Sequence, residues 1–186
     1  MKSDHLVEDY RGHELVAAKK DGGFQGVVWK NKKRAGKCVG TGMDDVMSQL
    51  RGLVDETLGA VARARTAPPD GDEYVGAFKF IAKKLSGSHL AMLKAHYRAP
   101  DQTLTPTELA KAAGYSNYNA ANLQYGNVGK LLNEVLPIEL STRADGSPVY
   151  TSALATEGER VGAEEHWRWK LRPQVAFAIE ALGFAA

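Results

Sequence analysis

Pro68 and Pro69, flanked by Thr66-Ala67 and Asp70-Gly71-Asp72, constrain the fold of this chain more than any other feature. Two consecutive prolines remove two amide donors and fix φ twice, so no helix continues through them. The stretch reads as a linker at residues 67–72 between two folding units. The 186 residues leave each unit enough chain for a small core of its own. A hydrophobic fraction of 44% and a charged fraction of 25% are ordinary for a folded chain.

The first unit, residues 1–66, reads as a basic ββ(β)α domain. Residues 13–19 predict a short strand, and Asp21-Gly22-Gly23 predicts a turn. Residues 24–30 then alternate, with Phe24, Gly26, Val28 and Lys30 on one face and Gln25, Val27 and Trp29 on the other. Trp29 is expected in the core. Residues 31–36 form a basic hairpin tip and residues 37–41 a third strand. A helix should begin near Asp44, whose carboxylate can cap it, and end near Arg65. Its helically spaced Val46, Met47, Leu50, Leu53, Val54, Leu58 and Val61 are expected to pack on the strands.

The second unit, residues 73–186, opens with a helix over 73–85 and a second helix capped by Ser88 that stops before Pro100. Thr105-Pro106-Thr107-Glu108 then supplies a capping threonine, a proline at the first helical position and a glutamate placed to close a capping box. Gly114 ends that short helix, and another runs over 118–136, with Ala120, Leu123, Val128, Leu131, Leu132 and Val135 expected to pack. Residues 138–140 and 149–154 read as strands around Asp145-Gly146, a hairpin turn signal. Helices followed by such a hairpin define a winged helix-turn-helix, centred on 88–154, with Arg143 at the wing tip. Trp167, Arg168, Trp169, Lys170 and Leu171 alternate as a further strand, and a helix over 173–182 closes an α+β chain. Burial is expected for Trp167 and Trp169.

In a helix-turn-helix, the second helix presents side chains from its exposed start to base edges. Here that surface carries amides: Asn119, Asn122, Gly126, Lys130 and Asn133 share one stripe, with Asn117, Tyr118 and Gln124 near the helix entrance. Asparagine and glutamine both donate to and accept from adenine. A stripe of this kind also arises from helix caps and close helix packing. Lys130 is the helix's one cation, so phosphate contacts must come from elsewhere. In this unit Lys94, Arg98, Lys111, Arg143, Arg168 and Lys170 are candidates; in the first unit, Lys30, Lys32, Lys33, Arg34 and Lys37 are. An acidic segment at Glu157, Glu159, Glu164 and Glu165 confines any DNA face to part of the second unit. Tyr115, Tyr118 and Tyr125 surround the turn, where core packing competes with stacking on bases.

The five histidines are dispersed, no spacing marks a metal site, and no phosphate-binding glycine loop or nucleophile elbow is present. A non-catalytic protein without cofactors is expected. Cys38 is the single cysteine, which excludes an intramolecular disulfide and fits a reducing, cytoplasmic setting. No run is long and apolar enough for a membrane helix, so no membrane partner is expected.

The segments Ala91-Met92-Leu93-Lys94-Ala95-His96-Tyr97-Arg98-Ala99-Pro100, Leu104-Thr105-Pro106-Thr107-Glu108-Leu109-Ala110 and Gly114 to Gly126 resemble a module of HNH-type, modification-dependent restriction endonucleases. The resemblance covers roughly a third of the chain, and no histidine-asparagine-histidine nuclease segment follows Gly126. It implies recognition of double-stranded DNA, with or without a modified base, and not cleavage. The expected function is non-catalytic DNA binding by a regulator or a restriction- or defence-associated protein. The alternative is a protein-interaction module, such as a phage or mobile-element inhibitor or adaptor, binding a protein partner or a second copy of itself.

Overall fold

A computed structural model describes residues 5–20, 22–158 and 167–185. It is an α+β protein in which a four-stranded antiparallel sheet is followed by helices. Backbone contacts divide it into two compact units, Met1–Arg65 and Thr66–Ala186. Asp21, Glu159, Glu164 and Glu165, all named above, and His166, one of the five histidines, lie outside the described residues.

In the first unit, β1 (His5–Tyr10), β2 (His13–Lys20), β3 (Gly23–Lys30) and β4 (Lys33–Gly40) form a meander in sequence order, and α1 (Met43–Ala64) covers one face. Two of the hairpins close with two residues at positive φ, Arg11 and Gly12 in one and Asn31 and Lys32 in the other. This backbone matches the right-handed twist of the flanking strands. β1 was not expected from the sequence. It is an edge strand whose Leu6 and Val7 both stay exposed, and its half-buried positions are the polar Glu8 and Tyr10, so no apolar alternation marks it. Ion pairs fasten it to α1: Arg51 Nε and Nη2 donate to the two Glu8 carboxylate oxygens at 3.0 and 2.6 Å. Asp55 accepts from Arg11 at 2.6 Å and from the Tyr10 hydroxyl at 3.0 Å. The Arg51 guanidinium holds the Glu8 carboxyl below the usual carboxylate range.

The expected core face of β3 is reversed. Gly26 and Val28 face α1, whereas Trp29 is 36% exposed on the opposite side. The reason lies at Gly26, where an added Cβ would press into Val46 and within 2.8 Å of Leu50. The helix approaches the sheet most closely where the strand has no side chain. Val46, Met47, Leu50, Val54 and Leu58 are buried as expected, but Leu53 and Val61 are exposed. The α1 cap also differs, because Gly42 is the N-cap and Asp44 lies inside the first turn. Asp45 instead accepts from the Thr41 amide at 2.8 Å, which lowers its pKa.

The second unit begins earlier than expected: α2 (Gly71–Ile81) starts within the linker residues because Asp70 and Glu73 form a capping box. α3 (Gly87–Arg98) is capped by Ser86, not Ser88, with His89 returning the bond to the Ser86 amide. β5 (Thr103–Leu104), α4 (Pro106–Ala112) and α5 (Tyr118–Val135) follow, then β6 (Ala155–Glu157), β7 (Trp169–Leu171) and α6 (Pro173–Ala181). β7 lies between β5 and β6 in a three-stranded antiparallel sheet.

The strands expected at 138–140 and 149–154 do not form. The turn itself is present, with Gly146 at φ 81 and the Asp145 carboxylate accepting from the Ser147 amide at 2.9 Å. One bridge, between Thr142 and Pro148, is all the pairing that flanks it. Residues 151–155 are instead buried one after another, and side-chain hydrogen bonds tie them to their surroundings. Ser152 Oγ accepts from the Ser141 amide, the Tyr74 hydroxyl donates to the Ala153 carbonyl, and Arg172 Nε donates to the Ser152 carbonyl. Gly129 of α5 makes room, since a Cβ there would collide with the Tyr150 carbonyl.

Gly26→Ala is expected to lower the stability of the protein by about 1–3 kcal/mol, the usual cost of overpacking. Gly36→Ala, whose Cβ would find its nearest neighbours at 3.6 Å, is expected to stay within roughly 0.5 kcal/mol of wild type. Urea unfolding of both variants tests this, and equal midpoints would refute the close approach at Gly26.

Candidate nucleic-acid interface

α4 and α5 are joined by a turn whose backbone bonds are local. Thr105 and Glu108 cap the start of α4 reciprocally, with the Thr105 amide donating to Glu108 Oε2 at 2.8 Å. At its end Gly114 takes φ 74, the Tyr115 amide reaches back to the Ala110 carbonyl at 2.9 Å, and the Gly114 amide reaches Lys111 at 3.2 Å. This is a Schellman closure, satisfying carbonyls that would otherwise be orphaned. The Tyr115 hydroxyl donates to Ser88 Oγ at 2.9 Å and ties the turn to the start of α3. Asn117 then caps α5, its side-chain oxygen accepting from the Ala120 amide at 3.0 Å.

The first two turns of α5 leave Tyr118, Asn119, Asn122 and Leu123 exposed together, and Lys130 is exposed further along. Leu123 was expected to pack but is 63% exposed; Ala121, Tyr125, Val128, Gly129 and Leu132 are the residues turned inward. Gln124 is half-buried, its amide oxygen accepting from His89 at 3.0 Å and from Asn127 at 3.4 Å, away from the open amides. The far end of the expected stripe is also occupied, because Asn133 accepts from the Ile138 amide at 3.1 Å and Gly126 faces Thr151.

His96 holds this helix in place. It is fully buried and bridges three elements, with Nε2 donating to the Trp169 carbonyl at 2.7 Å and Nδ1 accepting from the Tyr125 hydroxyl at 2.7 Å. A carbonyl only accepts, so Nε2 carries the proton, and in the neutral ring Nδ1 is left to accept from the Tyr125 hydroxyl. Burial lowers the His96 pKa and raises that of Tyr125.

Beside α5 lies a cavity of about 300 Å³ whose lining includes Asn122, Arg143, Thr151, Glu157, Trp167 and Trp169. Trp167 is 41% exposed and Trp169 half-buried, so the expected burial of both indoles gives way to a shared place on this wall. Arg143 is exposed, with Nη1 donating to the Pro148 carbonyl at 2.8 Å and to Ser147 Oγ at 3.2 Å. The sequence reading missed the cavity because Glu157 and Thr151 are far from Asn122 in the chain and no local pattern links them.

In the first unit, Lys30, Lys32, Lys33 and Arg34 are all exposed around the β3–β4 hairpin. Lys30 and Lys33 are direct cross-strand partners, an unfavourable like-charge pair. Lys32 has φ 64, a region that side chains rarely adopt.

Among the described residues no group of three or more His, Cys, Asp or Glu side chains is placed to hold a metal ion. No described helix is long and apolar enough to cross a membrane. No protein-family model, curated protein or solved structure matches the chain. The resemblance noted above therefore stands on its own residues.

Because the unfolded chain binds a proton on His96 more readily than the folded one, the stability this residue contributes is complete above the ordinary imidazole pKa of 6.5. It is lost as pH falls from that value toward the lowered, folded one. His96→Gln is expected to cost about 2 kcal/mol near neutral pH, from imperfect pairing of two buried partners. Thermal melts from about pH 7.5 down to pH 5 should fall more steeply for wild type than for the variant. Parallel curves would show that His96 does not titrate with unfolding.

Proposed function

We propose that the second unit is a winged helix-turn-helix that docks on duplex DNA through the open face of α5. What carries the reading is the outward placement of Asn119 and Asn122 on the first turns of a helix entered through a tight glycine turn. The element order supports it: α3, β5, α4, α5, β6 and β7, with β7 central, is the arrangement of a helix-turn-helix backed by a three-stranded sheet. On this reading the wing is the β6–β7 hairpin, and the Asp145-Gly146 turn is an insertion between α5 and β6. Arg98, Lys111, Lys130, Arg143, Arg168 and Lys170 are exposed in this unit and supply phosphate contacts. The basic hairpin of the first unit adds further ones. A restriction- or defence-associated role follows from the resemblance of residues 91–126 and from nothing else.

One observation favours a second reading. Leu123 and Tyr118 are exposed beside the amides, and large apolar side chains on a helix face suit a protein partner.

Fluorescence anisotropy with a randomised duplex pool, over a range of salt, separates the two. DNA docking predicts affinity that falls log-linearly with salt. Asn119→Ala should lose about 1–3 kcal/mol of sequence discrimination. Lys32→Ala should weaken all sequences alike and reduce the salt slope by about one. Absence of salt-dependent binding, with a stoichiometric protein partner retained after nuclease treatment, would replace this reading by the second.

A further inference from the structure

We infer that the cavity beside α5 receives one cytosine or guanine ring taken out of a duplex, a reading that rests on the DNA docking proposed above. At about 300 Å³ it lies at the lower limit of small-molecule sites, room for a single ring system and not for a peptide. Its walls suit a planar ligand. Trp167 and Trp169 are two positions apart on an extended segment, so both indoles face the same side, and both line the cavity. Indole faces are sequence-tolerant platforms for base stacking.

The polar groups narrow the choice. Arg143 can only donate, Glu157 accepts when ionised, and Asn122 does both. Glu157 opposes a phosphate or carboxylate, and Arg143 opposes a cation. A neutral ring with a donor at one end of an edge and an acceptor at the other satisfies both. Cytosine and guanine carry an amino group and a carbonyl at the two ends of the Watson–Crick edge; adenine has its acceptor, a ring nitrogen, directly beside the amino group, and thymine has its one donor, the ring N–H, between two carbonyls. Arg143 is held by Pro148 and Ser147, and Glu157 is the β-ladder partner of Trp169, so the two charges are anchored by different segments. Asn122 belongs to the cavity and to the open amide face of α5 alike, which gives a base leaving a docked duplex a short path. Enzymes that work on a base pay an unpairing cost when they extrude it, least where the base is already unpaired. The same saving applies to any site that takes an extruded base.

Intrinsic fluorescence of a Trp29→Phe protein, in which only the two cavity indoles remain, tests the inference. The four deoxynucleoside monophosphates probe the cavity by itself. dCMP or dGMP should quench saturably and dAMP and dTMP should not; equal response to all four, or to none, would overturn the assignment. Duplexes with an abasic site opposite one chosen base probe the source of the ring. An unpaired cytosine or guanine should bind at least about tenfold more tightly than the paired duplex, as a relieved unpairing cost predicts. Monophosphate binding without that gain would overturn extrusion and make the cavity a free-nucleotide site. Monophosphate binding with no duplex binding at all would uphold the cavity and remove the DNA docking reading. Trp167→Ala, an exposed position, should bring the unpaired-to-paired ratio to about one, and Glu157→Gln should abolish the preference for cytosine and guanine while the fold is retained.

Discussion

His96 receives the Tyr125 hydroxyl proton on one ring nitrogen and gives its own to the Trp169 carbonyl on the other, with no access to water. A buried polar group left unpaired costs about 1–3 kcal/mol, so the three partners hold one arrangement or forfeit both bonds together. That arrangement sets the register of the second unit. Tyr125 follows Asn122 by three positions on α5, almost one turn, and Trp169 carries both the accepting carbonyl and the indole on the cavity wall. Fixing those two residues to one imidazole therefore fixes the place of Trp169 on the cavity wall and the outward direction of the amide row. The contacts are chemically specific: phenylalanine at 125 would remove the donor, and a protonated His96 would have no lone pair to receive it.

The first unit obeys a different constraint. Its helix lies on the sheet at Gly26, and the opposite sheet face, with Trp29, Val39 and Val7, stays exposed. Ion pairs from Glu8 and Asp55 keep the edge strand on the helix without an apolar contact at every position. At the β3–β4 tip, by contrast, Lys30 and Lys33 repel across the ladder and Lys32 sits at positive φ. Stability alone would select Asn-Gly with neutral flanks there. The tip therefore works against its own stability.

What was legible in the sequence was what is encoded locally. The α4 cap, the Gly114 stop and the Asn117 start are satisfied within a few residues of themselves, so their side chains announce them. The Asp145-Gly146 turn was legible for the same reason, but its flanks were not. Residues 151–155 pack on α5 through the gap at Gly129, and burial of consecutive small residues looks like a strand until the partner is known. β5, at two residues, and β6 and β7, at three each, are too short to show a period and exist because they pair with one another. Trp29 misled because size was taken for burial, whereas the informative residue was the glycine three positions before it. The cavity had no sequence signature: its polar groups come from four separated segments.

The charge distribution ties these features together. With a net charge of +2 and a single lysine on α5, general attraction to phosphate is weak, and tight nonspecific binding by the second unit alone is not expected. The short-range polar groups of this unit are the amides on the helix and a cavity that carries one charge of each sign. Opposite charges contribute little to long-range steering because their fields cancel with distance, yet each remains strong at hydrogen-bond range. On the DNA-docking reading proposed above, the clustered lysines of the first unit's hairpin would add phosphate contacts to the dispersed cations of the second. Joining two weakly binding modules through a short proline-containing linker would then raise the effective concentration of each at a shared duplex. A substitution at the hairpin would on that reading change affinity for all sequences, whereas one on the amide face would change selectivity.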